Sequence, residues 1–120
     1  MKVLGIRYCT VSKQAEAIAQ FLGEGGLGLS QRDMGASDTF QGAVFPAGET
    51  SWVEVWPEMD GFNAMTMLQV VVDDADAFAE QARANGLAPK GPMDAHGERI
   101  YMLDGPDGLQ MSFQSKLAQD

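Results

Sequence analysis

The sequence predicts one α+β domain that contains two copies of a strand–helix–strands unit. In the first copy, a strand pattern at 3–11 precedes a helical pattern at 13–22, and shorter strand patterns follow at 42–45 and 51–56. The second copy repeats this order, with a strand at 65–72, a helix at 75–85, and strands at 99–103 and 109–113. Two such units side by side can curl their sheets around a shared concavity and leave the helices outside.

Each predicted helix has start and stop signals of its own. Ser12 is the predicted N-cap of the first helix, which ends in a run of glycines. The Asp73-Asp74 pair precedes the second helix, which closes at Gly86. The stretches 30–41 and 88–96 lack a clear pattern, and each has room for one more strand.

The last two strands flank a turn, Gly105-Pro106-Asp107-Gly108, whose proline and glycine suit the backbone angles that such a turn requires. After it, Met111 and Phe113 alternate with Gln110, Ser112 and Gln114. The apolar pair is expected to pack on a helix. The polar set is then expected to face the concavity.

Composition bounds the class of protein. The 120 residues suit a single domain over 1–120, with module one at 1–60 and module two at 61–120. A net charge of −9 argues against nucleic acid and anionic membranes as partners. The single Cys9 lies in a predicted strand, which favours an inert buried thiol in a reducing compartment. No stretch is apolar enough to span a bilayer, so a cytoplasmic location is expected.

Several motifs resemble the vicinal oxygen chelate superfamily, which includes glyoxalase I, bleomycin-resistance proteins and extradiol dioxygenases. The matching stretches are Phe21-Leu22 with the glycines behind it, Val70 to Asp74 with the helix end Ala84-Asn85-Gly86, and His96 to Arg99 followed by Asp104 to Gly108. The last stretch resembles the family's "G-x-R … D-P-D-G-N" signature with a glycine inserted and Leu109 in place of the Asn. The resemblance implies paired βαβββ modules that form a cupped mixed sheet, and a homodimer.

The resemblance also implies where a metal would bind in this chain. The four ligand positions fall on Arg7 or Tyr8, Glu54, Met67 and Ser112. Of these side chains only Glu54 suits a hard divalent cation, and one carboxylate does not make a site. His96 is the one histidine of the chain, so no pair of histidine ligands exists within a protomer. We therefore predict no metal, no cofactor and no catalytic residue.

The concave face is expected to be an aromatic pocket with a few polar groups. A period of two places Trp52, Glu54 and Trp56 on one side of their strand, while Val53 and Val55 pack on a helix. Indole faces attract cations, and a carboxylate adds a counter-charge. An equally weighted alternative is that the tryptophans fill the cup or a dimer interface. The predicted ligand-binding residues are Tyr8, Trp52, Glu54, Trp56, Met67, Gln69 and Ser112.

These observations lead to one main function and two alternatives. The main prediction is a metal-free, bleomycin-resistance-like protein that sequesters a small cationic or aromatic compound. The first alternative is a metal-dependent lyase, isomerase or dioxygenase of the same superfamily, with its ligands at other positions or contributed across a dimer. Glu54 is separately a candidate general base, for which the sequence supplies no partner acid. The second is a non-catalytic interaction module whose aromatic face buries a partner chain. Likeness of fold alone does not choose among them.

Overall fold

A computed structural model describes residues 2–35, 37–61 and 63–118. These ranges hold seven strands and two α-helices with mixed strand pairing, which confirms the predicted α+β class. Contacts divide the chain into two compact units, an N-terminal unit (Arg7–Thr66) and a C-terminal unit (Met1–Ile6 with Met67–Asp120). The elements in chain order are β1 (Val3–Ser12), α1 (Ala15–Leu22), β2 (Ala43–Pro46), β3 (Trp52–Pro57), β4 (Met65–Val72), α2 (Ala75–Ala84), β5 (Lys90–Ala95), β6 (Glu98–Asp104) and β7 (Gln110–Lys116).

In the N-terminal unit the strand order is β2-β3-β1, and β1 contributes its residues from Arg7 onward. β3 pairs antiparallel with β2 and parallel with β1, and α1 lies in the crossover that a parallel pair requires. The core of this unit joins Ala15 and Ala19 of α1 to Phe45 and Val55. Val53 packs against the same cluster, so the prediction that Val53 and Val55 face a helix is confirmed.

The first helix starts later than predicted. It begins at Ala15, its N-cap is Gln14, and no side chain caps it. The expectation that Ser12 is the cap is wrong because its hydroxyl accepts a hydrogen bond from the Gln14 backbone N–H at 3.0 Å, in a turn before the helix. At the other end, the Gly23 N–H donates to the Ala19 carbonyl at 2.9 Å.

In the C-terminal unit the strand order is β4-β7-β6-β5. β4 and β7 run parallel, and the remaining pairs are antiparallel. Tyr101 and Phe113 stack with ring centroids 5.3 Å apart and form a core with Val72 and the alanines of α2. The Asp74 carboxylate accepts from the Ala77 N–H at 3.1 Å, which confirms the predicted cap of this helix.

The two stretches without a sequence pattern differ in the structure. Residues 88–96 contain β5, whereas the described residues of 30–41 contain no strand. One backbone hydrogen bond joins the stretch 30–41 to β2, from the Arg32 N–H to the Val44 carbonyl at 2.8 Å. Three strands are therefore described in the first repeat, against four in the second.

A partly exposed ion-pair network links α2, β5 and β6 of the C-terminal unit. Arg99 contacts Asp94 through Nε at 3.0 Å and Asp76 through Nη1 at 3.0 Å. The Tyr101 hydroxyl donates to Asp76 at 2.6 Å. This hydrogen bond and, after it, the one from Arg99 Nη1 hold the pKa of Asp76 below its usual value.

Candidate functional site

The predicted aromatic face of β3 is held together by one carboxylate. The Trp52 indole N–H donates to Glu54 Oε2 at 2.7 Å, and the Trp56 indole N–H donates to Glu54 Oε1 at 2.9 Å. All three side chains are half-buried. They therefore share one side of the strand, as the period of two predicted, and Glu54 holds both indole rings in place.

Two arginines lie against one of these rings. The guanidinium carbon of Arg7 is 3.7 Å from the centroid of Trp52, and that of Arg32 is 4.7 Å from the same centroid. Both distances are within the range of cation–π contacts. Arg7 is 7% exposed, whereas Arg32 is on the surface. We call Arg7, Arg32, Trp52, Glu54 and Trp56 the Trp52 cluster.

The register of β1 explains why Arg7 belongs to this cluster. Arg7 is opposite Trp52 in the parallel pair, and Tyr8 is opposite Val53, whose side chain packs on the helix side. Because successive side chains of a strand alternate, Tyr8 lies on the other face of β1. Tyr8, which we predicted to stand beside Trp52, is therefore not part of the cluster.

Cys9 is next to the Trp52 cluster and has an unreactive thiol. It is opposite Glu54 in the β1–β3 register and is 3% exposed. Burial and, to a smaller extent, the negative charge of Glu54 together raise the pKa of its thiol to about 12. At neutral pH the thiol is protonated and is a poor nucleophile.

Gly42 leaves room for the Trp56 ring. Its φ is +128°, and a Cβ added there would lie 2.1 Å from Cε3 of Trp56. A side chain at this position would therefore move the indole away from Glu54. The glycine serves both the backbone conformation and the close approach of the ring.

The other predicted residues lie in the C-terminal unit. Gln69 and Ser112 are opposite each other on β4 and β7, so they share a face. Met67, two residues before Gln69, is on the same side of β4 and is buried. The Ser112 hydroxyl, 2% exposed, donates to the side-chain oxygen of Gln114 at 2.8 Å. The structure thus groups three predicted residues in one unit and three in the other.

The four positions that the family resemblance assigns to metal ligands do not fit a divalent cation. Arg7 places a permanent positive charge at the first, and both oxygens of Glu54 at the second already accept indole N–H groups. Met67 offers a soft thioether and Ser112 a neutral hydroxyl that donates to Gln114. Among the described residues, no group of three or more His, Cys, Asp or Glu is placed to hold a metal ion.

A separate surface cavity of about 580 Å³ lies along α1. Its wall includes Glu16, Gln20, Glu24, Leu29 and Phe40, so none of the predicted site residues lines it. Its charged side chains are both acidic and come from one helix and the turn after it. The cavity lacks the paired ring and polar contacts that distinguish the Trp52 cluster.

The sequence does not predict that Arg7 and Arg32 join the aromatic face of β3. It predicts Arg7 only as a metal position, although Arg7 alternates in β1 with the same period as Cys9 and Val11. Arg32 lies in a stretch without periodicity, and no sequence signal marks it.

Comparison of the sequence with protein-family models and with curated proteins finds no match. Solved structures do match. A chain described as an NAD-dependent benzaldehyde dehydrogenase from Legionella pneumophila has a TM-score of 0.64 at 13% identity, with 93% of this chain and 99% of that chain covered. Methylmalonyl-CoA epimerase from Mycobacterium tuberculosis has a TM-score of 0.62 at 15% identity, with coverage of 97% and 88%.

A glyoxalase/bleomycin resistance protein/dioxygenase superfamily member from Vibrio splendidus 12B01 has a TM-score of 0.62 at 11% identity, with coverage of 96% and 100%. The names of these three structures describe different proteins, so the likeness is one of fold. The chain has the vicinal oxygen chelate fold that its sequence motifs predicted.

No helix in the described part of the chain is both long and apolar enough to cross a membrane.

Proposed function

We propose that this chain is a metal-free small-molecule-binding protein that holds a compound with a flat aromatic or apolar body against Trp52 and Trp56. The observation that carries the proposal is the double hydrogen bond of Glu54, which fixes both indoles at 2.7 and 2.9 Å. Fixed, half-buried aromatic rings beside a few polar groups are typical of small-molecule sites. Two tryptophans that only filled space would not need such hydrogen bonds from both indole N–H groups to the one carboxylate of Glu54.

The donor chemistry supports binding without a metal. The carboxylate that a cation would need is already used by two N–H donors, and the nearest strand neighbour of Trp52 is itself a cation. For the C-terminal unit by itself, Gln69 and Ser112 remain proposed polar binding residues and Met67 a proposed apolar one. Assembly as a homodimer and a cytoplasmic location belong to the same proposal.

The test combines tryptophan fluorescence with elemental analysis of the same purified sample. The chain has two tryptophans, so a ligand screen followed by their emission reads the proposed site directly. Trp56→Ala should abolish the response to a true ligand. Phe21→Ala, which removes an aromatic side chain that is 64% exposed, is the matched control and should leave binding unchanged.

Three results would contradict the proposal. A stoichiometric divalent metal in the purified protein would favour a metal-dependent enzyme of the same fold. A hit whose affinity survives Trp56→Ala would place the binding site elsewhere. Protection of both indoles from an aqueous quencher by self-association, with no response to any small molecule, would favour an interaction module. Light scattering during chromatography measures the assembly state that this comparison needs.

A further inference from the structure

The Trp52 cluster has a charge pattern that the aromatic residues alone do not explain. Two of the four arginines in the chain contact the same indole, although the chain as a whole carries a net charge of −9. The cluster contains one carboxylate, that of Glu54. Counting two positive groups and one negative group, its side chains carry a net charge of +1.

The carboxylate of Glu54 is already engaged within its own strand. Each of its oxygens accepts an indole N–H, so two of its about four acceptor positions are used along β3. One face of the Trp52 ring is likewise covered, because the guanidinium carbon of Arg7 lies 3.7 Å from its centroid. The contacts expected to attract a cationic ligand are therefore made within the protein.

The arginines provide the opposite preference. A guanidinium that stacks on a ring uses its flat face, while its N–H donors point outward in its own plane. Arg32 is exposed, and its contact with Trp52 at 4.7 Å holds the end of a long side chain beside the aromatic surface. Among residues 2–35, 37–61 and 63–118, no carboxylate forms an ion pair with Arg32, whereas Arg99 is paired with two.

We infer that the site selects a small organic anion, with an oxyanion group bound by Arg32 and supported by the positive charge of Arg7. This inference rests on the proposed function and replaces the cationic compound expected from the sequence with an acidic one. The apolar or aromatic body of the ligand contacts Trp56 and the part of the Trp52 ring that the two arginines leave exposed. The shared chemistry is that of a carboxylate or a phosphate monoester, and both form charge-assisted hydrogen bonds with a guanidinium.

The experiment compares four probes that have the same ring and different charges: phenylacetate, phenyl phosphate, neutral phenylacetamide and cationic phenethylamine. Binding is followed by the two indole N–H resonances in ¹H–¹⁵N spectra, which belong to Trp52 and Trp56. At least one of the two anions should bind about tenfold or more tightly than the amide, since charge-assisted hydrogen bonds are about twice as strong as neutral ones. Whichever anion binds better identifies the type of acid.

The substitutions separate this inference from the proposed function. Arg32→Gln should reduce the affinity for the better anion to about that of the amide and leave the amide unchanged. Arg83→Gln is the matched control, because it removes an exposed arginine that stacks on Tyr101 in the other unit and changes the net charge equally. It should leave all four affinities unchanged.

The contradicting results are distinct. Equal affinity for acid, amide and amine, or an acid affinity that survives Arg32→Gln, would overturn the anion preference and leave small-molecule binding intact. Tighter binding of phenethylamine would do the same and restore the cationic option. If all four probes leave both indole resonances unmoved up to their solubility limits while another class of compound shifts them, the acid class is wrong. If nothing shifts them, both proposals fail.

Discussion

Replacement of Gly42 by alanine tests whether the packing of Trp56 against the backbone maintains the Trp52 cluster. The new Cβ would lie 2.1 Å from Cε3 and 2.3 Å from Cζ3 of Trp56, well inside van der Waals contact. The indole must move, and movement breaks its 2.9 Å hydrogen bond to Glu54. Gly28→Ala is the matched control, since Gly28 also has a positive φ, of +83°, but no atom lies within 4 Å of the added Cβ.

The expected cost has three parts. An alanine held at positive φ costs about 1–3 kcal/mol, and both variants carry a cost of this kind. Overpacking typically costs about 1–3 kcal/mol, and only Gly42→Ala incurs it. Loss of a hydrogen bond to a charged group adds about 1.5–3 kcal/mol if the ring swings out fully. The free energy of unfolding of Gly42→Ala should therefore fall by roughly 2 kcal/mol or more beyond that of the control. The reason is that the Trp56 ring in this variant either overlaps the new Cβ or loses its hydrogen bond to Glu54.

Urea unfolding measures this difference. At a typical slope of about 1–3 kcal/mol per molar urea, the transition midpoint of Gly42→Ala should lie roughly 1 M below that of Gly28→Ala. In a Trp56→Ala background the extra cost of Gly42→Ala should disappear, because the obstructing ring is absent. Equal midpoints for the two glycine variants, or an extra cost that persists without Trp56, would refute the steric explanation.

Three other perturbations have defined outcomes. Glu54→Gln leaves one indole N–H facing an amide N–H₂, so the free energy of unfolding should fall by about 1–3 kcal/mol in urea titrations, and an unchanged midpoint would contradict the hydrogen-bond assignment. Cys9 should react with iodoacetamide at pH 8 only after denaturation; because its folded pKa of about 12 exceeds the unfolded value of 9.0, its contribution to stability is complete below pH 9 and is lost as the pH rises toward 12. The pKa of Asp76 is lowered in the folded state, chiefly by the Tyr101 hydroxyl and then by Arg99, so the stability it contributes is present above pH 3.8 and is lost as the pH falls below that value. Asp76→Asn should flatten this acid limb in thermal unfolding, and an unaltered pH dependence would argue against the network.

Sequence patterns correctly predicted those elements in which the alternation of residues allows only one face to be buried. In β3 the alternation of two tryptophans and a glutamate with two valines allows only one choice of face, and the structure has that arrangement. In β7 the same reasoning correctly placed Phe113 in the core and Ser112 on the opposite face. The N-cap at Asp74 was predictable because an aspartate directly before a helix accepts hydrogen bonds from the first backbone N–H groups of that helix.

The remaining features depend on tertiary contacts. β1 carries apolar residues on both sides, for example Leu4 and Val11, so its alternation does not select the face on which Arg7 lies. That face is fixed by the parallel register with β3. β5 contains Gly91 and Pro92, which weaken any strand signal, and it forms by pairing with β6 in a register that shifts along its length. Arg32 enters the Trp52 cluster from a stretch with no regular structure, which no local pattern could indicate.

The double hydrogen bond of Glu54 also determines what binding would cost at this surface. Immobilising a side chain at an interface costs about 0.5–1.5 kcal/mol of conformational entropy, and this cost normally reduces affinity. Here the rotamers of Trp52 and Trp56 are already restricted before any other molecule arrives, by 2.7 and 2.9 Å contacts within their own strand. The entropic cost is thus met during folding, and the rings are preorganised for contact.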